Sequence, residues 1–300
     1  MIYTKIYEAI GNTPIVKMQT TDKNIADVYA KLEFFNAGSS VKDRVAKSMI
    51  FNMMKDGLLS ETDTVIEPTS GNTGIGIAMI CASLGIKCVF TMPESMSVER
   101  QKLLKAYGAE IILTPASEGM SGAIKTAKTL QETKGYVMLK QFENEYNPLA
   151  HKNTTACEII QDFDSLDACI CGIGTGGTVT GVGEVLKKHY KDIKIIGVEP
   201  AGSPFLTQGK KGPHKIQGIG AGFKPDVLNL DVPDEIITVS DEDALSYMKQ
   251  CGITQGILPG ISGGAAYKVA LDIAKQLGTG KKVLFIMPDN GERYLTLFDN

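Results

Sequence analysis

Apolar residues along the chain form two patterns: short continuous runs, and longer segments in which they recur with helical spacing. The runs at Lys87–Met92 and Ala168–Cys171 are rich in Val, Ile, Cys and Phe without strict alternation, which predicts strands buried on both faces. Val41–Lys55 and Gly263–Leu277 show the spacing of helices with one apolar face.

Strands and helices follow one another in regular succession over most of the chain. The predicted strands are Val28–Glu33, Thr64–Glu67, Lys87–Met92, Glu110–Thr114, Tyr136–Leu139, Ala168–Cys171, Ile193–Val198 and Lys282–Met287. The predicted helices are Val41–Lys55, Thr73–Leu84, Val98–Tyr107, Gly122–Thr133, a segment from Pro148 to Phe163, Thr178–His189, Asp241–Gln250 and Gly263–Leu277. This succession predicts an α/β protein with two lobes, each a mostly parallel twisted sheet flanked by helices, and a seam near Pro148.

The composition excludes several classes of protein. With 300 residues, 43% of them hydrophobic and 22% charged, the chain is long enough for one large domain or two lobes. A net charge of −3 gives no strong attraction to nucleic acid or acidic lipid. The uncharged run Asn72–Ile86 is too short to cross a bilayer, and the N-terminus shows no signal-peptide pattern. We expect a cytoplasmic protein without nucleic-acid or membrane partners.

The cysteines and histidines give no metal signature. The six cysteines form no C-x-x-C pair, and the three histidines are scattered along the chain. These spacings do not match a zinc ligand set. We expect reduced thiols and no bound metal.

The loop Thr69–Gly74 (TSGNTG) follows a predicted strand and opens a predicted helix. Its glycines, hydroxyls and amide offer hydrogen-bond donors to an anion such as a carboxylate or phosphate. The same residue types also cap helices by binding free backbone N–H groups. The loop by itself leaves both interpretations open.

A second loop of the same kind, Gly172–Thr178 (GIGTGGT), also connects a predicted strand to a helix. It contains the pattern G-x-G-x-x-G, and Glu199 lies 22 residues after Gly177. That spacing is typical of a dinucleotide-binding unit. The pattern predicts a phosphate site, for a dinucleotide or for a smaller phosphate, although a structural glycine turn has the same composition.

Lys42 lies at the start of a predicted helix, within Ser39–Arg44. A helix N-terminus disfavours positive charge, so Lys42 has a reason to lose its proton and act as a base or as an amine nucleophile. The alternative is that Lys42 and Arg44 are solvated side chains on an exposed first turn. A further segment, Pro288–Arg293, offers an amide and three charges after the last strand, or is a surface turn.

Together these loops resemble the cysteine synthase branch of the fold-type II pyridoxal-phosphate enzymes, which includes O-acetylserine sulfhydrylase and the catalytic core of cystathionine β-synthase. The matching segments span nearly the whole chain in the family's order. They are GNTP at Gly11–Pro14, SVKDR at Ser40–Arg44, EPTSGNTG at Glu67–Gly74, QFEN at Gln141–Asn144, GIGTGGT at Gly172–Thr178, GVEP at Gly197–Pro200, KIQGIGAGF at Lys215–Phe223 and NGERYL at Asn290–Leu295.

The resemblance implies pyridoxal 5'-phosphate as cofactor and assigns residues to it. Lys42 matches the lysine that holds the cofactor and then removes the substrate's α-proton, and Asn72 and Asn290 match contacts to the pyridine ring. The positions that match the phosphate cup are Gly174, Thr175, Gly176, Gly177 and Thr178. The positions that match the family's binding site for the substrate α-carboxylate are Thr69, Ser70, Gly71, Thr73 and Gln141. The positions that match the loop on the acyl and nucleophile side of the pocket are Gly218 to Phe223, including Ala221.

The activity implied by the resemblance is β-replacement through an α-aminoacrylate, in which O-acetyl-L-serine and sulfide give L-cysteine and acetate. An alternative is a cysteine-consuming reaction that releases hydrogen sulfide, with cysteine, homocysteine or water as second nucleophile, giving lanthionine, cystathionine or serine. An NAD-dependent dehydrogenase is a remote alternative, because it has no use for Lys42.

The family also implies an organisation and partners. Residues 35–145 correspond to a smaller mobile lobe that carries the asparagine-containing loop, and residues 1–34 and 146–300 to a larger lobe that carries the phosphate cup. The resemblance implies a homodimer and the docking of a serine acetyltransferase.

Four departures from the family's pattern bear on the chemistry. Asn290 stands where Ser is usual, and we expect its amide to donate to the pyridine nitrogen. Asn36–Ser40 reads NAGSS where NPGGS is usual, and Gly263 replaces a more common Ser. Glu145–Tyr146 replaces Pro-Ala, and we expect Glu145 to alter which nucleophile is accepted.

Overall fold

The computed structural model describes residues 2–298. Its strands are β1 (Ile15–Lys17), β2 (Asp27–Leu32), β3 (Thr64–Pro68), β4 (Lys87–Pro93), β5 (Glu110–Thr114), β6 (Val137–Met138), β7 (Ala168–Gly172), β8 (Lys194–Pro200), β9 (Glu235–Val239) and β10 (Lys282–Met287). Its α-helices are α1 (Lys42–Lys55), α2 (Asn72–Leu84), α3 (Val98–Ala106), α4 (Gly119–Lys134), α5 (Tyr146–Ala150), α6 (Ala156–Asp162), α7 (Gly177–His189), α8 (Phe205–Gln208), α9 (Asp241–Gln255) and α10 (Ile261–Leu277). No helix in this part of the chain has the length and apolar character needed to cross a membrane.

The chain divides into two compact units. Unit 1 is Met1–Ile10 with Asn36–Asn147, and unit 2 is Gly11–Phe35 with Pro148–Asn300. The sequence-based boundaries place residues 1–34 with the larger lobe, whereas residues up to Ile10 group with unit 1, because Ile10 and Tyr7 pack into its core.

Unit 1 contains a four-stranded sheet in the order β5-β4-β3-β6, with every neighbouring pair parallel. The central strand β3 is buried at Val65 and Ile66, as expected for a continuous apolar run covered on both faces. Helices α1 and α2 supply apolar side chains such as Met49 and Ile77 to the core. The fold class predicted from the sequence is therefore present in this unit.

Unit 2 contains a six-stranded sheet in the order β1-β2-β10-β7-β8-β9. β1 pairs antiparallel with β2, and all other pairs are parallel. Residues that alternate along the central strands enter two separate apolar clusters: Phe285 belongs to the cluster that includes Ala266 of α10, and Leu284 belongs to the cluster that includes Val182 of α7. The α/β architecture predicted from the sequence is therefore also confirmed here.

The parallel strands place loops of similar construction at their carboxyl ends. In unit 1, β3 ends at Pro68 and α2 begins at Asn72. In unit 2, β7 ends at Gly172 and α7 begins at Gly177. Ligands of open α/β sheets bind at this edge, so each unit presents a helix N-terminus where a ligand is expected.

Several elements differ from the sequence-based prediction. β1, β9 and α8 were absent from it, and the helix predicted from Pro148 begins at Tyr146. That helix passes through a π-helical segment, His151–Thr155, before α6. α9 continues past the predicted end at Gln250 and stops before Gly256, which has φ 67°.

Helices α9 and α10 of unit 2 approach each other closely at Gly264. A Cβ at this position would lie 2.2 Å from the Ala244 carbonyl oxygen and 2.7 Å from the Met248 backbone nitrogen. Backbone atoms cannot move aside as the end of a flexible side chain can. The contact therefore requires glycine at position 264.

We predict that Gly264→Ala lowers the free energy of unfolding by at least about 2 kcal/mol, because the added methyl group forces the two helices apart. Gly252→Ala in α9 is a matched control, since its Cβ would contact only side-chain atoms of Leu258, the nearest at 3.1 Å. The control is expected to be neutral or slightly stabilising, since alanine is the better helix former. Urea unfolding of both variants checks this, and equal midpoints would contradict the packing argument.

Candidate functional site

Lys42 is the first residue of α1, and its side chain is half-buried. Its backbone N–H donates to the Ser40 hydroxyl oxygen (3.2 Å), and the buried Asp43 carboxylate accepts from the Gly38 N–H (2.6 Å). These bonds hold the preceding loop in a conformation in which Ser39 has φ 62°. Arg44 is only 2% exposed, so the alternative of a solvated first turn is wrong for that residue.

Helix α2 packs closely against the start of α1. A Cβ at Gly76 would lie 3.2 Å from the Asp43 Cα and 3.2 Å from the Ala46 Cβ. Gly76 is about one helical turn from Asn72, and Asp43 follows Lys42 directly. Unit 1 thus places the Lys42 end of α1 beside the start of α2, where the asparagine-containing loop lies.

The loop Thr69–Thr73 is held by contacts to its own hydroxyls. The Gly71 N–H donates to the Thr69 hydroxyl (3.3 Å), and the Ser70 hydroxyl donates to the Met96 sulfur (3.0 Å). Asn72 opens α2, which has an extended glycine at its N-cap and no side-chain cap. The N-terminal N–H groups of a helix without such a cap are suited to an anion.

Gln141 lies beside this loop, although it is 68 residues away from Thr73 in sequence. The Thr73 hydroxyl donates to the Gln141 side-chain oxygen over 2.7 Å. Both residues are buried. The structure therefore brings together the predicted carboxylate-binding residues of the loop and Gln141.

Sequence reasoning missed Glu67, which ends the buried part of β3. Its carboxylate accepts from the backbone N–H groups of Lys140 (2.9 Å) and Gln141 (3.1 Å). Burial raises the pKa of Glu67 to about 7, although these hydrogen bonds lower it. An acidic residue inside a continuous apolar strand is the sequence signal that marks it.

Neighbouring parts of unit 2 pack closely against the backbone of the loop Gly172–Thr178. A Cβ at Gly174 would lie 2.1 Å from the Gly218 carbonyl oxygen, and one at Gly176, which has φ 84°, would lie 2.6 Å from the Leu228 Cβ. The Thr175 hydroxyl accepts from the Gly177 N–H (3.3 Å). Because α7 starts at Gly177 and its N-cap Gly176 has no side chain, the N-terminus of this helix is suited to an anion.

Thr178 is oriented by a residue that the sequence did not single out. Its hydroxyl lies 3.2 Å from Nε2 of His151, whose Nδ1 lies 2.9 Å from the Thr155 hydroxyl. His151 is fully buried in the π-helical segment. Thr178 is the second residue of α7, so its contact with His151 supports the first turn of that helix.

The predicted nucleophile-side loop, Gly218–Phe223, packs directly against the predicted phosphate loop, Gly172–Thr178. The Gly220 N–H donates to the Ile173 carbonyl (2.9 Å), and the Gly220 carbonyl lies 3.2 Å from Nε2 of His214. Gly218, Gly220 and Gly222 all have positive φ. Ala221 is half-buried within this turn.

Asn290 follows β10 in unit 2 and forms an isolated antiparallel bridge with Pro259. Next to it, the Gly291 N–H donates to the Leu258 carbonyl (2.8 Å), and the Tyr294 hydroxyl donates to the Asp289 carboxylate (2.6 Å). The position of Asn290 is thus fixed by its neighbours. Its contact with a pyridine ring stays a prediction, as does the role of Glu145, which is exposed.

Glu199 has a structural use that a dinucleotide site does not require. Its carboxylate accepts from the backbone N–H groups of Leu206 and Thr207, each at 3.0 Å, at the start of α8. Both oxygens are therefore engaged by the helix end. The interpretation of Glu199 as a ribose-binding residue loses its support.

Comparison with known proteins gives a consistent result. The family described as pyridoxal-phosphate dependent enzyme matches residues 6–289. A cysteine synthase of Staphylococcus aureus (strain Mu50 / ATCC 700699) is 53% identical over 294 residues, which cover 97% of this chain and 95% of that protein. The structural similarity is equally extensive.

Two crystal structures illustrate that similarity. O-ureido-L-serine synthase superposes with a TM-score of 0.97 at 40% identity, covering 100% of this chain and 96% of that one. A hydrogen sulfide-producing enzyme from Fusobacterium nucleatum has a TM-score of 0.94 at 43% identity, covering 98% of each chain. With the family match over residues 6–289, these findings show that the chain belongs to the pyridoxal-phosphate-dependent enzymes.

Proposed function

We propose that this enzyme is a cysteine synthase, which replaces the acetate of O-acetyl-L-serine with sulfide to give L-cysteine. The observation that carries the proposal is the grouping in unit 1 of Lys42, the Thr69–Thr73 loop and Gln141, beside the 53% identity to a cysteine synthase. The loop offers donors for an α-carboxylate, and Lys42 offers an amine for the α-proton.

The residues present fit pyridoxal phosphate. Lys42 would hold the cofactor through its amine, and residues 174–178 would hold its phosphate, because this glycine-rich turn leads into the N-terminus of α7, whose N-cap Gly176 has no side chain. When bound, the cofactor supplies an electron sink for the negative charge that develops at the substrate's Cα. A monophosphate needs the helix N-terminus but no ribose contact, which agrees with the engagement of Glu199 by α8.

Lys42 would move a proton twice in the reaction. Its amine takes the proton from the substrate's Cα, acetate leaves from Cβ, sulfide adds at Cβ, and Lys42 returns the proton to Cα. The N-terminus of α1 disfavours a positive charge on this amine, which suits it to act as a base. The loop and Gln141 hold the substrate so that this proton faces the amine.

We predict that Lys42→Ala lowers kcat/KM by roughly a thousandfold or more and removes the yellow colour of the purified protein, because the amine that holds the cofactor is lost. Lys55→Ala is the matched control, since Lys55 is exposed in the last turn of the same helix. Absorbance spectra and a cysteine-formation assay check both variants. A yellow, active Lys42→Ala protein would show that the role has been assigned to the wrong residue.

We predict that the enzyme prefers the reaction of O-acetyl-L-serine with sulfide to the reaction that consumes L-cysteine and releases sulfide. Purified enzyme should release acetate from O-acetyl-L-serine and form L-cysteine when sulfide is added. Its kcat/KM for this reaction should exceed that for sulfide release from L-cysteine by at least about tenfold. Separate assays of acetate, cysteine and sulfide measure both reactions on one preparation.

The second candidate function is favoured by one comparison, the hydrogen sulfide-producing enzyme at 43% identity. Rapid sulfide release from L-cysteine with little turnover of O-acetyl-L-serine would establish it and overturn the cysteine synthase proposal. Product analysis would then identify lanthionine, cystathionine or serine, and so the second nucleophile. Exchange of Glu145 for Pro, followed by measurement of kcat/KM for both reactions, tests the proposed influence of that residue on which nucleophile is accepted.

We further propose that the enzyme is a cytoplasmic homodimer that docks a serine acetyltransferase. These assignments are what the resemblance to cysteine synthases implies, and the 53% identity to one of them supports that resemblance. Light scattering should give the mass of two chains. Addition of a serine acetyltransferase C-terminal peptide should inhibit cysteine formation in competition with O-acetyl-L-serine, and no inhibition at saturating peptide would exclude docking at the substrate-binding residues.

A further inference from the structure

Glu67 is a buried carboxylate whose two oxygens are both engaged by backbone. It is 2% exposed, Oε2 accepts from the Lys140 N–H at 2.9 Å, and Oε1 accepts from the Gln141 N–H at 3.1 Å. The bonds join residues 73 and 74 positions apart in sequence. A buried carboxylate in such a geometry stabilises one conformation of the segment that donates to it.

The segment it holds is strained. Lys140 has φ 56°, a left-handed conformation that a residue with a long side chain rarely adopts. That conformation turns the N–H groups of Lys140 and Gln141 toward the same carboxylate. The strain persists only while the surrounding contacts hold it. At this residue they include the two hydrogen bonds to Glu67 and the N–H groups of Glu143 and Asn144, which donate to the Lys140 carbonyl at 2.9 Å each.

Gln141, whose backbone is held by Glu67, in turn contacts the asparagine-containing loop. Its carbonyl accepts from the Asn147 side chain (2.7 Å), and its side-chain oxygen accepts from the Thr73 hydroxyl (2.7 Å). Gln141 and Thr73 are 6% and 3% exposed. The path from Glu67 to Thr73 therefore runs through two direct hydrogen bonds inside unit 1.

We infer that Glu67 is a positioning residue for substrate binding: its carboxylate fixes Gln141, and through Gln141 the hydroxyl of Thr73, in the arrangement that receives the α-carboxylate of the amino-acid substrate. The inference rests on the proposed carboxylate-binding role of Thr73 and Gln141. It applies equally to O-acetyl-L-serine and L-cysteine, because both present the same α-carboxylate.

Titration of Glu67 separates positioning from mere structural support. Burial raises its pKa to about 7, the N–H groups of Gln141 and Lys140 lower it, and the negative charge of Glu143 raises it. Glu143 is exposed and lies 3.7 Å from the Lys140 ammonium. A pKa above that of the unfolded chain means that protonation favours the fold, so stability falls as the pH rises toward about 7. Substrate binding should change in the opposite direction, because protonation turns one oxygen of the carboxylate into a hydroxyl, a weaker acceptor, and so loosens one of the two N–H bonds.

The test compares wild type, Glu67→Gln and Glu143→Gln as holoenzymes. At about pH 8 we expect Glu67→Gln to raise KM for O-acetyl-L-serine and for L-cysteine by about tenfold, with cofactor absorbance unchanged and kcat changed less than about threefold. At about pH 6 the difference from wild type should shrink to about threefold or less, since wild-type Glu67 is then largely protonated. Glu143→Gln removes a nearby exposed charge and should stay within about twofold of wild type at both pH values.

A Glu67→Gln enzyme with wild-type KM at both pH values would overturn the inference, as would a KM difference that is the same at both. Failure of the wild type to turn over either amino acid would instead refute the proposed function. If Glu67→Gln does not fold, hydrogen exchange on wild type decides. Protection of the Lys140 and Gln141 amides, corrected for intrinsic rates and taken relative to the buried amides of β3, should fall as the pH drops from about 8 to about 6. Unchanged relative protection would reject the inference.

Discussion

Parallel pairing of strands is the constraint on which the arrangement of functional residues depends. In each unit it sends the carboxyl ends of neighbouring strands to one edge, where the connecting helices must begin. The starts of α2 and α7 are products of that rule, and neither helix is capped by the side chain of its N-cap residue. The capacity to bind an anion thus follows from topology, and the residues of the loops would adapt it to the carboxylate or the phosphate proposed above.

Unit 1 adds a second device, a buried carboxylate that holds a functional loop by its backbone. Asp43 accepts from Gly38 and fixes the segment before Lys42, and Glu67 accepts from Lys140 and Gln141. In both segments a residue other than glycine has positive φ, Ser39 at 62° and Lys140 at 56°. The strain lies next to residues that would contact substrate or cofactor, while the charge that stabilises it is kept away from water.

The sequence predicted the central strands and the strand-to-helix loops because their signals are local. β1 (IVK) is three residues long and partly exposed, and β9 (EIITV) is buried only at Val239. Each contains an apolar run of only two residues. Glu67 was not predicted as part of the candidate site, because its partners lie 73 and 74 residues away and are backbone groups with no sequence signature. The grouping of Lys42 with the Thr69–Thr73 loop was reached through family resemblance. Physically it depends on a close helix contact at Gly76 that no local pattern encodes.

The interlocking of the phosphate loop with the loop at Gly218–Phe223 limits how this enzyme can diverge. The Gly218 carbonyl oxygen occupies the space of a side chain at position 174, and the Gly220 N–H is bonded to the Ile173 carbonyl. A backbone shift in one loop therefore disturbs the other, so remodelling of the loop proposed to line the nucleophile side would also disturb the loop proposed to hold the phosphate. Neutral drift and laboratory selection should therefore favour side-chain exchanges at Ala221 and Phe223, because such exchanges leave the backbones of both loops in place. Insertions or deletions between residues 218 and 223 would be selected against even where the new nucleophile itself fits.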